Sequence, residues 1–184
     1  LVYVGSHNGI VYALNASTGM VGYDWELHNN VVWSYRTGDM VMFSSPAVAD
    51  GVLYVGSYDH SLYALNAQTG ELQWSYKTGR PVVSSPAVAN GIVYFGSQDH
   101  NVYALNAATG ALVWNYTTGG VIVVSSPAIW EGKVYIGSND QYLYSLNAAN
   151  GELVWKYATD GMVVSSPAVA DGKVYFGSYD KKVY

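Results

Sequence analysis

Apolar and polar residues along the chain fall into short runs of about five or six positions, rich in Val, Tyr and Leu and divided by Gly, Asn and Asp. From Ser84 onward the runs are SSPAVA, closed by Asn90-Gly91; IVYFGS, closed by a polar turn around Asp99; VYALNA, closed by Thr109-Gly110; and ALVWNYTT, closed by Gly119-Gly120. Runs of this length with β-branched and aromatic enrichment predict strands, and the Asn-Gly and Asp-Gly pairs at 50–51, 90–91 and 171–172 predict tight hairpins. No stretch carries helical periodicity. In ELQWSYKT, Leu72, Trp74 and Tyr76 alternate with Glu71, Gln73, Ser75 and Lys77, the pattern of a strand with one wet face. The three segments before it are apolar or small on both sides, which predicts burial on both faces.

The four-segment unit recurs. Pro46, Pro86, Pro127 and Pro167 lie in Ser-Ser-Pro-Ala at spacings of 40, 41 and 40. Trp33, Trp74, Trp114 and Trp155 follow at 41, 40 and 41. Tyr3, Tyr54, Tyr94, Tyr135 and Tyr175 open Tyr-x-Gly-Ser at 51, 40, 41 and 40, the long step reflecting an insertion of about ten residues in the first copy, near Met20 to Asn30. A four-stranded antiparallel sheet, wet only at its outermost strand and repeated about every 40 residues, predicts an all-β fold of propeller blades. The expected division is a partial blade at 1–43, blades at 44–83, 84–124 and 125–164, and a partial blade at 165–184.

The segment from Ala64 to Trp74, Ala-Leu-Asn-Ala-Gln-Thr-Gly-Glu-Leu-Gln-Trp, resembles the tryptophan-docking motif of the quinoprotein-type propellers, the PQQ-like repeat family. Asn66, Asn106 and Asn147 stand where that motif usually has Asp, and Ser145 and Asn150 replace its Ala and Thr in the last full copy. The resemblance covers essentially the whole chain. It implies a ring of seven or eight blades, with Trp33, Trp74, Trp114 and Trp155 as structural docking residues between blades. The family holds quinone-dependent alcohol dehydrogenases, outer-membrane assembly scaffolds, sensor domains and surface proteins, so the fold alone does not select a function.

Composition narrows the choice. Charged residues are 11% of the chain and the formal net charge is −5, which argues against a nucleic-acid partner. No apolar run is long enough to span a bilayer. The chain has no cysteine, which removes thiolate metal sites, a Cys nucleophile and the disulfide that the resemblance associates with the quinone site. The chain starts and stops within strand-like segments, which reads as an internal portion of a longer protein.

Candidate chemistry is weighed against plain structural roles. The blades are near copies (SSPAVADG at 44–51, SSPAVANG at 84–91, SSPAVADG at 165–172), whereas a catalytic site needs residues present in one blade only. Asp59, Asp99, Asp140 and Asp180, with Asn8 in the first copy, read as turn caps rather than metal ligands. His60 and His100 read as polar turn residues, and His7 and His28 are isolated. The serine pairs at 44–45, 84–85, 125–126 and 165–166 open the innermost strands and, with no recurring His base beside them, lack the partner a nucleophile requires. Tyr23, Asp24, Trp25, Glu26 and His28 make the insertion an aromatic-acidic interaction loop. Arg80 and Trp130 are other blade-specific residues. Asn115, in Asn115-Tyr116-Thr117 on the wet face of an outer strand, is a glycosylation acceptor if the chain is exported, and Asn15 occupies a structural position.

The reading is a non-catalytic binding or scaffold propeller module with no catalytic, cofactor or metal residues. It lies outside the cytoplasm, in the periplasm or at the cell surface. Its partner is a protein or a polar or sugar ligand on a rim, with homo-oligomerisation through open blade edges also expected. Two alternatives stand beside it: a fragment of a quinone-dependent alcohol dehydrogenase, and a self-associating structural surface repeat protein.

Overall fold

A computed structural model describes residues 1–17 and 30–184. Among them every regular element is a strand, and every strand pair is antiparallel. The first sheet holds β1 (Val2–Gly5), β2 (Ile10–Leu14) and β3 (Val31–Arg36). Three four-stranded sheets follow in simple meander order. They are β4 (Ala47–Ala49), β5 (Val52–Gly56), β6 (Ser61–Asn66) and β7 (Leu72–Lys77); then β8 (Ala87–Ala89), β9 (Ile92–Gly96), β10 (Asn101–Asn106) and β11 (Leu112–Thr117); then β12 (Ala128–Trp130), β13 (Lys133–Gly137), β14 (Tyr142–Asn147) and β15 (Leu153–Ala158). The last sheet pairs β16 (Ala168–Ala170) with β17 (Lys173–Tyr175), and a bridge from Gly177 to Val183 continues it. The short strands β4, β8, β12 and β16 neighbour one another across successive sheets. The sheets therefore converge on their first strands, as propeller blades do around an axis.

The turns follow local chemistry. Asp50 and Gly51 have φ of 50° and 76°, and Asn90 and Gly91 have 52° and 73°, the left-handed pair that a two-residue hairpin matching strand twist requires. The first strand of each blade is shorter than its sequence segment. Ser-Ser-Pro stays outside the ladder and only Ala47–Ala49 and its equivalents pair. Proline lacks the N–H and biases the residue before it, so pairing begins after it.

Burial grades outward. In the middle strands Leu53, Val55, Leu62, Ala64 and Leu65 are fully buried, while β7 and β15 stay largely exposed. The core consists of layers between sheets: Tyr54, Leu62, Ala64 and Val82 of one blade pack against Val93, Phe95, Tyr103 and Leu105 of the next. Stability therefore accrues junction by junction, as in other repeat folds.

Candidate functional site

Each sheet junction is built from the same parts. Register places Tyr54 beside Ala64 and Ala64 beside Trp74 on three adjacent strands. The alanine is small enough for the two rings to meet over it, with centroids 5.8 Å apart. Both rings then reach one backbone carbonyl of the next sheet: Ala107 accepts from Tyr54 Oη at 3.0 Å and from Trp74 Nε1 at 3.0 Å. Ala67 accepts in the same way from Tyr3 and Trp33, and Ala148 from Tyr94 and Trp114. The indoles lie on glycine: a Cβ on Gly70, Gly110 or Gly151 would come within 2.7 Å of Trp33, Trp74 or Trp114. Ser145 replaces the alanine in the fourth set. Its buried Oγ reaches the Tyr135 phenol only loosely and has no partner at hydrogen-bond geometry.

On the opposite rim an aspartate ties the same sheets. Asp99 Oδ2 accepts from Tyr103 Oη at 2.8 Å and from Gly79 N of the preceding blade at 2.8 Å, while Oδ1 accepts from Asn101 N at 3.1 Å. Asp59 does this with Tyr63, Gly38 and Ser61, and Asp140 with Tyr144, Gly119 and Tyr142. Asp180 does it with Tyr184, Asp160 and Lys182. Burial pushes the Asp99 carboxyl up, but the Tyr103 hydroxyl and the Gly79 and Asn101 N–H groups outweigh it and hold the carboxyl below its ordinary value. Burial, then the Asp59 carboxylate, raises the Tyr63 phenol to about 12.

The serine pairs divide their work. Ser84 Oγ accepts from Gly96 N at 2.7 Å and holds the inner strand to its neighbour. Ser45 N donates to Ser85 Oγ at 2.9 Å, Ser85 N to Ser126 Oγ at 3.0 Å and Ser126 N to Ser166 Oγ at 3.0 Å, an arc that runs from blade to blade.

These recurrent polar groups are thus occupied by structural bonds, and chemistry must come from the remainder. His60 and His100 sit at φ 74° in the 2–3 turns, where their carbonyls accept from Thr78 and Thr118. Asn115 is exposed on β11 beside Asn101, 3.4 Å away, and Thr117 Oγ1 bonds the same Asn101 at 2.6 Å. Arg80 is exposed and Trp130 ends β12 over Gly172. Tyr23, Asp24, Trp25, Glu26 and His28 lie outside the described residues. Among the described residues no three His, Asp or Glu side chains gather to hold a metal ion. A quinone with its cation does not fit the described residues: each repeated aspartate already accepts at least three hydrogen bonds, and the chain has no cysteine.

Three features escape a reading of the sequence by blade. The Asp-to-Tyr tie has a local signature, Asp-x-x-x-Tyr at 59–63, 99–103, 140–144 and 180–184. The tyrosine of Tyr-x-Gly-Ser shares the docking carbonyl with tryptophan. Phe43 has no signature; it sits at φ 64° and is 60% exposed. A bulky residue in that conformation is strained.

The family model described as outer membrane protein assembly factor BamB matches residues 1–122 and 117–184. The BamB of Yersinia pestis is 35% identical over 83 residues, 45% of this chain and 18% of that protein. Among solved structures, BamB from Moraxella catarrhalis superposes with a TM-score of 0.78 at 22% identity over 98% of this chain and 53% of its own. The quinohemoprotein alcohol dehydrogenase ADHIIG of Pseudomonas putida HK5 superposes with a TM-score of 0.77 at 21% identity over 99% of this chain and 38% of its own. The chain therefore spans about half of the Moraxella structure and less of the others.

Proposed function

The chain belongs to the family of the outer membrane protein assembly factor BamB, and on that premise we propose that it is a non-catalytic propeller scaffold that binds another protein outside the cytoplasm, in outer-membrane protein assembly. One observation supports this reading above the others: the recurrent Trp, Tyr, Asp and Ser groups tie blade to blade, which gives a rigid body with no acid–base or metal constellation among the described residues. In this reading Trp33, Trp74, Trp114 and Trp155 are docking residues, not ligands.

The partner-facing groups are then those that folding does not use. Phe43, between β3 and β4, combines a left-handed backbone with exposure of an aromatic ring, two costs without return in the isolated chain. The outer strands add Val32, Leu72, Leu112 and Leu153, each between 42% and 51% exposed. The sequence adds Tyr23, Asp24, Trp25, Glu26 and His28.

The test is binding of the purified chain to its host's outer-membrane assembly machinery in detergent, followed by biolayer interferometry. Saturable binding is expected, weakened by Phe43→Gly, a change that also relieves the left-handed strain and so leaves the fold at least as stable. Dye-linked alcohol oxidation after loading with quinone and calcium would overturn the scaffold reading, as would undiminished binding by both Phe43→Gly and a Tyr23→Ala/Trp25→Ala variant.

A further inference from the structure

Each four-stranded sheet returns its chain to the Asp rim twice, through the turn between its second and third strands and through the connection from its fourth strand to the next sheet. Hydrogen bonds set these segments side by side. Between the second and third sheets Thr78 Oγ1 lies 2.8 Å from the His60 carbonyl and 2.6 Å from the Arg80 carbonyl. The Arg80 carbonyl also accepts from Ser97 Oγ at 3.1 Å, and Asp99 accepts from Gly79 N at 2.8 Å. His60, Lys77, Arg80 and His100 thus branch from one hydrogen-bonded patch of backbone.

The bonding recurs at each junction, but this set of side chains does not. The place of Lys77 is taken by Arg36, Thr117 and Ala158 in the other sheets, and the place of Arg80 by Asp39, Gly120 and Gly161. Among the described residues only this junction has two cations at those places. His60 and His100 stand at φ 74°, at the turn position that is Gly9 in the first sheet, where glycine fits at least cost. Lys77 and Arg80 are exposed, and neither forms an ion pair among the described residues. The junction's own carboxylates, Asp59 and Asp99, are committed to backbone N–H groups and tyrosine hydroxyls. Both sheets are complete and have sheets packed on either side, so the exposure of these cations belongs to the fold itself.

Charge is divided between the rims. Asp50, Glu71, Glu131, Glu152 and Asp171 are exposed in turns on the opposite rim, against Lys133 and Lys173. A negatively charged partner is therefore turned away from that rim and toward the Asp rim. On the Asp rim itself, exposed Asp39 lies one junction before the cations and exposed Asp160 two junctions after. A polyanion running along the rim would meet both, whereas a short acidic segment held at one junction would not.

We infer that the Asp rim between the second and third sheets docks an acidic segment of a partner protein. Arg80 grips a carboxylate through its fork of N–H donors, Lys77 supplies a second charge, and His60 and His100 add hydrogen bonds. The inference rests on the scaffold reading and names the chemistry of the segment bound.

Fluorescence anisotropy of a labelled peptide of alternating Glu and Ser, titrated with the chain at low salt beside its Gln–Ser counterpart, tests this. Saturable binding of the Glu peptide alone is expected, weakening as salt rises. Arg80→Gln and Lys77→Gln each raise the dissociation constant about two- to fivefold. Lys173→Gln, on the opposite rim, leaves it unchanged. All three side chains are exposed, so the melting temperatures stay together. Equal binding of the two peptides overturns the inference, as does binding that Arg80→Gln/Lys77→Gln leaves intact, or tighter binding of single-stranded DNA of equal charge. The double variant also separates the two readings. If it binds the outer-membrane assembly machinery as well as the unchanged chain does, this docking site fails and the scaffold reading stands; if the unchanged chain does not bind that machinery, the scaffold reading itself fails.

Discussion

Gly110→Ala tests the junction geometry most directly. Gly110 has a φ of 72°, and a Cβ there would lie 2.7 Å from Cδ2 and Cε3 of Trp74. Two penalties follow. The left-handed backbone costs an L-residue about 1–2 kcal/mol. The indole must then move, which removes its 3.0 Å bond to Ala107. That loss is worth about 1 kcal/mol, and overpacking adds about 1–3 kcal/mol. Gly91 separates the two: its φ is 73°, but a Cβ there meets nothing within 4 Å. Gly91→Ala should therefore cost only the backbone part, and Gly110→Ala about 2–4 kcal/mol more. In a chain of this size the gap corresponds to roughly 4–16 °C in melting temperature. Circular dichroism melts of both variants supply the comparison, and a Gly110→Ala/Trp74→Leu double variant should recover part of the loss by vacating the contested space. Equal melting temperatures for the two alanine variants would refute the docking of Trp74 on this glycine.

Other expectations follow from single groups. Ser145→Ala should stabilise the chain by about 1 kcal/mol, because it removes a buried hydroxyl without a partner and restores the alanine found at 13, 64 and 104; urea titration reads the shift in midpoint. Asp99 has a lowered folded pKa, so its contribution is present above the usual carboxylate value and is lost as pH falls through the folded one; Asp99→Asn should destabilise at neutral pH and show a smaller loss on acidification, measured by melts across pH. Tyr63 has a raised folded pKa of about 12, so its contribution is full below pH 10 and is lost as pH rises toward 12; the stability gap between the chain and Tyr63→Phe should close over that window.

Much of this protein is written locally. The second to fourth strands of each sheet, the Asn90-Gly91 type of hairpin and the 40-residue period follow from side-chain pattern and turn chemistry within a few residues, whereas the first strand is shortened by its Ser-Ser-Pro. The recurrence of tryptophan likewise marks a packing position before any coordinates are known. Which atom each indole meets was decided only by tertiary structure. Trp74 finds Ala107, 33 residues away, and Asp99 finds Gly79 of the preceding blade, because successive sheets are stacked face to face and the spacing between them selects the carbonyl and N–H in reach. The same stacking determines that Ser145 Oγ has no well-formed hydrogen bond among the described residues and that Phe43 is strained and exposed. Local pattern specifies a blade; contact between blades specifies what each blade leaves unsatisfied.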